Sequence, residues 1–595
     1  MFEDQTLFKI FFFISSLIYS ITANSLELTL YVNNWLDEIP ETYNVHSDDY
    51  INLESKVSTV LSDVLNSKSS FNAVRSGPKG QQTSLFTRGT NSNHTLVTIN
   101  GSSIADHSSS NGLSDLGLID TSFASQLHMI DGPMSTLYGA NAVGGVIDIK
   151  SEKKIKNKIV GTIGTYGEKN LYSQNIFGEN RQFNFGLSIN QSEGISAYTE
   201  GQEKDGYDLK GINFSYHGNL ENSNYDLLFI RNTQNTDLDA SGADDLDYEG
   251  KSEFNFIQLN SNTILSKGKL NFILDSYSWD REYVNGSEID NYYSKSLHLK
   301  TALITQNKKI NNVVGYDHLL YEADFENRGS YNSSVDKNGQ QIGIFNNIDL
   351  KLNKHLVLSG GYRIDNNNHF GNQNTYRVGT SYKFKKINFF NSISTGYKNP
   401  TLYEMYGADN FGYTGNPDLK PEVAHNAEIG IKFNAKKINA EFTTYNTKIK
   451  DMITYANSTY SNDFDDSSTM QGFNIDLNFS LNKFNFTNSY AHVHAVDSSN
   501  TWLKRRPHDL IYSSVIYQKE NWSLGTNINY YGEHSDTHSS NFSTIQIKER
   551  TIFDLIYKYK FFKLEVNNIF HDTFHRPHGY NQGGRNLKIQ YSYTY

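Results

Sequence analysis

Beyond about residue 155 the chain alternates apolar and polar positions with a period of two. Phe183, Phe185, Leu187 and Ile189 interleave with Asn184, Gly186, Ser188 and Asn190. Phe473, Ile475, Leu477, Phe479 and Leu481 interleave with Asn474, Asp476, Asn478, Ser480 and Asn482. Trp522, Leu524, Thr526, Ile528 and Tyr530 interleave with Ser523, Gly525, Asn527 and Asn529. This spacing predicts strands with one apolar and one polar face. In a soluble sandwich the apolar face would meet a second sheet. In a membrane barrel it would meet lipid, with the polar face lining a wet lumen. Periodicity leaves both open, and length favours the barrel. Roughly 440 residues in segments of about 20, each a strand and half its turns, make about 22 antiparallel strands, a size whose lumen is plugged. The last residues alternate too: Leu587, Ile589, Tyr591, Tyr593 and Tyr595 with Lys588, Gln590, Ser592 and Thr594. An edge strand of that kind is protected when a barrel closes on it.

Residues 35–150 carry a different pattern, that of a small α/β domain. Val57, Val60, Leu61, Val64 and Leu65 share one face of a predicted helix over 57–65. Residues 96–99 read as a strand, Asn100-Gly101 supplies turn chemistry, and Gly144-Gly145 precedes an apolar strand over 146–149. Residues 7–21 are almost wholly apolar or small, too short and too early for a stable span. With Thr22-Ala23-Asn24 as a small-residue cleavage point, residues 1–23 read as a signal peptide. Glu3 and Asp4 depart from the usual basic start. Residues 24–34 then form an exposed tail, 35–150 one domain and 151–595 the barrel.

Composition agrees with that division. Hydrophobic residues make up only 37% while aromatics reach 13%, with 40 Tyr and 36 Phe. A barrel needs lipid-compatible side chains only at alternate positions and concentrates aromatics at its two interfaces. After the N-terminal segment no stretch approaches the roughly 18 apolar residues of a membrane helix. The net charge of −11 without a long basic run excludes nucleic acid as an expected partner. Cysteine is absent, which removes disulfides, thiolate metal sites and cysteine nucleophiles. No other nucleophile–base constellation is placed by the sequence, so an enzyme is not expected.

Residues 85–149 hold the most specific motifs: Phe86-Thr87-Arg88-Gly89-Thr90-Asn91, then Leu96 to Gly101, then Asp131-Gly132-Pro133 and the run through Tyr138-Gly139-Ala140-Asn141 to Gly144-Gly145. Together they resemble the plug domain of TonB-dependent outer-membrane receptors. The barrel adds Gly396-Tyr397-Lys398-Asn399-Pro400-Thr401-Leu402-Tyr403-Glu404-Met405-Tyr406, Gly415 to Glu422, Leu503-Lys504-Arg505-Arg506-Pro507 and Asn567-Asn568-Ile569-Phe570-His571-Asp572. The resemblance runs from about residue 27 to 595. It implies a transmembrane antiparallel β-barrel of about 22 strands with an N-terminal α/β plug in its lumen, located in the bacterial outer membrane. It also implies TonB as the energy-transducing partner, with outer-membrane lipid and, during biogenesis, the barrel-assembly machinery as further partners. The barrel is expected to be a monomer. Arg88 is expected to anchor the plug to carboxylates. Two positions depart from the family: Asn100 stands where Asp is usual, and Asp131 where a basic residue is usual. Plug–wall ion pairs at those two positions are therefore not assured.

Glu27-Leu28-Thr29-Leu30-Tyr31-Val32 resembles the TonB box, an extended segment suited to strand addition. Residues 90–96 resemble the run after Arg-Gly in vitamin B12 (cobalamin) receptors. Carried over by position, Gln82, Ser84, Asn91, the loop Ser108-Ser109-Ser110-Asn111-Gly112 and Arg505 would touch ligand. Such neutral hydrogen-bonding groups suit a large amide-bearing molecule. Loops also favour Ser and Asn for their own turns. His94 reads as structural rather than as a metal ligand. Haem receptors of this superfamily usually place a ligand His between the two barrel blocks, and none lies between Tyr397 and Pro417. No cofactor for chemistry is expected. The resemblance implies a calcium site that orders two outer loops, formed by Glu203, Asp205, Asp237, Asp239 and Asp247; a solvated acidic loop is the alternative. The expected function is TonB-dependent import of a scarce large nutrient, cobalamin first and a ferric siderophore as the alternative. A passive porin or adhesin barrel leaves residues 27–150 unexplained.

Overall fold

The short turns lie at one end of the molecule and the long connections at the other. A computed structural model describes residues 50–52, 61–109, 112, 114–151, 156–178, 181–239, 243–329, 332–408, 413–456, 458–463 and 467–595. The expected signal peptide, the tail with residues 27–32, Val57 and Val60, and Ser110 and Asn111 lie outside the described residues. Twenty-two antiparallel strands, from Lys158–Gly164 to Asn586–Thr594, close into a barrel. The last strand pairs with the first, from Lys588 opposite Gly164 to Thr594 opposite Lys158. Neighbours in sequence are neighbours in the wall throughout. Connections such as 221–222, 266–267 and 385–386 are tight. Those at the other end reach 399–421 and 532–549, the second holding its own hairpin of His534–Thr537 and Thr544–Ile547.

The polarity of the wall separates a membrane barrel from a soluble sandwich. In the strand Gln182–Ile195, Phe183, Phe185, Leu187 and Ile189 are exposed on the outer surface while Asn184, Ser188 and Asn190 are buried inside. Leu587, Ile589, Tyr591, Tyr593 and Tyr595 likewise face outward. Near the short-turn end, rings from adjacent strands touch. Phe479 meets Phe486 with centroids 4.4 Å apart, Phe484 meets Tyr517 at 4.9 Å, Tyr517 meets Trp522 at 5.4 Å, and Phe562 meets Tyr591 at 5.2 Å. This is the aromatic girdle expected where lipid headgroups begin.

The lumen holds the N-terminal domain. Its five-stranded sheet runs in the spatial order Tyr50–Asn52, Ala124–Asp131, Gly145–Ser151, Thr95–Ile99, Ser102–Ser103. Thr95–Ile99 and Gly145–Ser151 pair in parallel, an arrangement that needs a long connection, and Ser102–Ser103 and Ala124–Asp131 lie between them in the chain. The hairpin Phe71–Arg75 and Thr83–Thr87 and two one-turn helices, Ser62–Leu65 and Ser135–Tyr138, complete the plug. Leu61, Val64 and Leu65 are buried, so the described part of the predicted helical face is the packed one. The plug core continues into the wall. Val97, Ile99, Ile147 and Ile149 share one cluster with Phe254, Phe256, Tyr277 and Trp279. The Trp279 indole N–H donates to the Ile104 carbonyl at 3.0 Å.

Charged contacts fasten the plug to the wall. Arg88 Nη1 donates to Glu428 Oε2 at 3.2 Å, and Arg88 Nη2 lies 3.5 Å from Asp131 Oδ2. Glu428 also accepts from Arg377 Nη2 at 3.0 Å and from the Ser392 hydroxyl at 2.6 Å. Asp131 lies 3.6 Å from Lys68 Nζ. The unusual acid at position 131 therefore gives Arg88 a second carboxylate from within the plug, beside that of Glu428 in the wall. At Asn100 the outcome differs. Asn100 and Gly101 both take positive φ, 48° and 84°, and the Asn100 amide reaches Gln258 Oε1 at 3.4 Å, so the wall contact there is neutral. Gly89 has no room for a side chain, since a Cβ would lie 2.6 Å from Val493 Cγ1.

Removing Glu428 would leave Arg88 and Arg377 buried with less compensation, a change that costs about 3–5 kcal/mol for a buried pair. In Glu428→Ala, amide exchange in Thr95–Ile99 should quicken by about a hundredfold or more while the wall strands Asp205–Leu220 and Ser223–Asp237 keep their protection. Wild-type exchange in the plug strands of that variant would remove Glu428 as its anchor.

Candidate functional site at the long-loop end of the plug

Three plug segments reach toward the long loops. The first is the hairpin tip. Gln82 is exposed there, Ser84 is half-buried opposite Val74, and Gln81 Nε2 donates to the Asp237 carbonyl at 2.7 Å at the rim of the wall. The second is the turn after Arg88-Gly89. Asn91 is half-buried, and its N–H donates to His94 Nδ1 at 3.2 Å. The proton of that imidazole therefore sits on Nε2, which donates to Glu422 Oε2 at 2.7 Å. One ring nitrogen of His94 thus closes the plug turn and the other fastens it to the wall. Glu422 is also 3.6 Å from Lys398, and Lys398 is 3.2 Å from Glu404. Glu404 accepts from the Thr401 N–H at 2.8 Å and so caps the helix Leu402–Tyr406. The long motif from Gly396 to Tyr406 thus works as a relay of paired charges that ends on the plug. Gly396 sits where a Cβ would press on Ser135 Oγ, Pro133 and Val143 at 3.2–3.4 Å.

The third segment is the loop around 106–112. Asp106 lies 3.0 Å from Arg281 of the wall and accepts from Ser294 at 2.8 Å. Ser108 and Ser109 are buried. The Ser108 hydroxyl donates to Asp106 at 2.6 Å and accepts from Arg281 Nη2 at 3.1 Å, and the Ser109 hydroxyl donates to the Asp106 carbonyl at 3.1 Å. These two serines hold the loop in place, while Gly112 is half-buried against Thr401. His107 stacks on Tyr321 at 4.3 Å, and burial lowers its pKa to about 4, so it stays neutral at physiological pH. Asp106 and His107 carry no sequence signal of their role, because their partners Arg281, Ser294 and Tyr321 lie far along the chain.

Arg505 and its neighbour divide the work. Arg505 is partly exposed and pairs with Asp536 at 2.8 Å. Arg506 is buried: its Nη2 donates to Asn91 Oδ1 at 2.6 Å and to the Thr90 carbonyl at 3.3 Å, its Nε to the Gly89 carbonyl at 3.3 Å, and its guanidinium lies 4.3 Å over Phe86. Burial, and then the charge of Arg505, pull its pKa down to about 9. Sequence reading singled out Arg505, yet it is Arg506 that meets the plug turn bearing Asn91.

Two outer loops meet through carboxylates. Ligand-capable oxygens of Glu203, Asp205 and Asp239 lie within 4.8 Å of one another. Glu203 Oε2 and Asp205 Oδ1 are buried without a hydrogen-bond partner. Asp239 Oδ2 accepts from the Tyr198 N–H at 2.6 Å, and Asp244 Oδ2 from the Gln202 N–H at 2.8 Å. Partial burial, then Asp239, Asp244, Asp237 and Asp245, raise the Glu203 carboxyl above its ordinary 4.5. Asp237 and Asp247 are exposed and do not join the three.

Comparison with known proteins settles the family. A family model described as "TonB dependent receptor-like, beta-barrel" matches residues 159–569, and one for the TonB-dependent receptor plug domain matches residues 36–146. The chain belongs to the TonB-dependent receptors. Members of this family are outer-membrane transporters rather than enzymes, and the family partnership with TonB comes with membership. This receptor is 25% identical over 560 residues to the vitamin B12 transporter BtuB of Vibrio vulnificus, covering 89% of this chain and 87% of that one. Its fold matches the copper transporter OprC with a TM-score of 0.80 at 14% identity, covering 92% and 97% of the two chains. It matches the siderophore receptor PirA of Acinetobacter baumannii at 0.76 and 15%, covering 92% and 98%. The Arg88–Glu428 and His94–Glu422 contacts are among those that removal of the whole plug would break.

Arg506→Met keeps the contact with Phe86 but removes the donors to Asn91, Thr90 and Gly89. Amide exchange at Thr90 and Asn91 should rise roughly tenfold, the effect of losing about 1.4 kcal/mol of hydrogen bonding. Arg505→Met should leave those amides unchanged. Equal effects of the two variants would remove the distinction drawn between them.

Proposed function

We propose that this receptor imports cobalamin, binding it at the long-loop end of the plug and passing it inward when TonB pulls on the plug. The observation that carries this reading is the turn 90–96. It resembles the corresponding run of vitamin B12 receptors, and it presents Asn91, held by Arg506, at the end where Gln82 and Ser84 also emerge. The likeness to a vitamin B12 transporter over nearly the whole chain supports it. A ferric siderophore is the second reading. It is favoured by the fold shared with a siderophore receptor and by the basic residues that border the gap between plug and wall. Residues 27–32 are the proposed TonB contact.

We propose further that Glu203, Asp205 and Asp239 hold Ca²⁺ and so tie the two outer loops together. Three close carboxylates with unpartnered oxygens are a donor set that suits a hard cation. Bound there, the ion would supply the positive charge that this cluster lacks.

Purified receptor should bind cyanocobalamin saturably and with little dependence on salt, because neutral contacts are not screened. Asn91→Ala should weaken it by about 1 kcal/mol. Leu30→Pro should stop uptake by cells with surface binding intact, since proline removes a donor from strand addition. Saturable binding of a ferric siderophore that weakens with salt, with no cobalamin binding, would transfer the assignment to the second reading.

For calcium, the sign follows from Glu203. Its raised pKa means that protons compete with the cation from above the ordinary carboxylate value of 4.5 downward. Calcium affinity should therefore fall as pH drops toward that range. Asp239→Asn should abolish calcium-dependent ligand affinity and Asp247→Asn should not. Affinity indifferent to both Ca²⁺ and EDTA in the parent would leave a solvated acidic loop.

A further inference from the structure

The plug does not meet the wall equally all round. A polar cavity of about 790 Å³ separates it from the strands between Phe484–Val496 and Asn586–Thr594. Ser523, Gly525, Asn527, Asn529 and Tyr531 all line it, so it follows the strand Trp522–Tyr531 from the short-turn end to the long-loop end. Ser67, Ala73 and Arg75 of the plug stand opposite. Seven basic residues border it against three acidic ones, in a chain whose net charge is −11. Several of the bases are neutralised locally. Lys68 faces Asp131, Lys79 and Lys588 share Glu168, and Lys563 pairs with Glu565.

Arg576 is the exception. Among the described buried arginines, Arg88, Arg363 and Arg377 each have a carboxylate, and Arg506 is surrounded by carbonyl oxygens and the Asn91 amide. Arg576 is only 7% exposed, its guanidinium lies 4.2 Å over the Tyr531 ring, and its Nε and Nη2 meet no acceptor. The carboxylate of Asp536 is already held by Arg505 at 2.8 Å and by the N–H groups of Thr537 and His578 at 2.7 and 2.8 Å. Arg550 adds a second positive charge nearby. Nε and Nη2 lie along one edge of the guanidinium, the edge that grips a carboxylate or phosphate side-on with two parallel hydrogen bonds. Buried donors left without acceptors are costly, and the side chain that carries them lines the cavity.

We propose that Arg576 is an anion-binding subsite at the head of this cavity, taking a phosphate or carboxylate carried by the imported ligand as it passes the plug. The proposal rests on the import reading for its ligand, but not for the anion itself. Inorganic phosphate is therefore the first probe. The ³¹P line of orthophosphate should broaden in the presence of purified receptor. Arg576→Met should remove most of that broadening, whereas Arg576→Lys and Arg505→Met should keep it. Uptake of cyanocobalamin or of an anionic ferric siderophore, whichever the parent imports, should fall at least tenfold in Arg576→Met with surface affinity within about twofold. Arg576→Lys, which folds with the charge in place, should retain most of the uptake. Broadening that is the same in Arg576→Met as in the parent would show that water alone satisfies Arg576, and would overturn the subsite whatever the receptor imports. Loss of phosphate binding with uptake unchanged would overturn its role on the ligand's path. A parent that imports neither compound but loses phosphate broadening in Arg576→Met would fail the import reading and keep the subsite.

Discussion

A buried arginine of the plug, Arg88, sits between an acid of its own domain, Asp131, and an acid of the wall, Glu428. Both carboxylates are nearly inaccessible to water, so neither charge can be released without leaving its partner uncompensated in a poorly solvated interior. Much of the rest follows from that condition. Glu428 is braced by Arg377 and Ser392, Asp131 by Lys68 and Ser70, and the glycine after Arg88 lets the turn press against Val493. A domain held by such pairs stays in place at rest. It also offers a discrete set of contacts for an applied force to break, which suits a transporter driven by an inner-membrane partner.

The barrel turns the usual polarity of a folded protein inside out. Its alternating strands expose Phe, Leu and Ile outward and bury Asn, Ser and Gln against the plug, as the row from Phe183 to Asn190 does. Polar lumen side chains then become the fasteners of the plug: Asn232 donates to the Leu118 carbonyl, Gln234 to that of Gly80, and Gln258 to that of Ile99. The same groups that let the lumen hold water let it hold a second domain through hydrogen bonds, contacts that can be exchanged for water at little net free energy. Along Trp522–Tyr531 a cavity takes the place of part of this fastening.

The outer face shows a division between groups that build the site and groups left to meet a ligand. Ser108, Ser109, Asp106 and His107 are consumed in holding their loop, and Arg506 in holding the turn of Asn91. Gln82, at the hairpin tip, remains turned to solvent. Neutral side chains therefore dominate what the plug presents, while the charges at this end, Arg505 with Asp536 and the Glu203 cluster, belong to the rim.

By itself the sequence determined the class of fold and the division of the chain. A period of two needs only local geometry, and residue count sets the number of strands; the ordered plug motifs supplied the family. Periodicity alone left a sandwich and a barrel open, because the two share the same alternation, and it was length and the plug motifs that pointed to the barrel. The partner of Arg88 was out of reach. Carboxylates at many positions could have served, and only the wall register brings Glu428, some 340 residues away, to within 3.2 Å. Register also decided between Arg505 and Arg506, adjacent residues of identical chemistry: one side chain points to the rim and the other to the plug. Of the five acids expected to gather in the outer loops, Glu203, Asp205 and Asp239 converge, while Asp237 and Asp247 point to solvent, since spacing along two loops does not say how those loops cross. The sequence carries what depends on neighbours in the chain; the tertiary structure alone carries what depends on neighbours across the lumen.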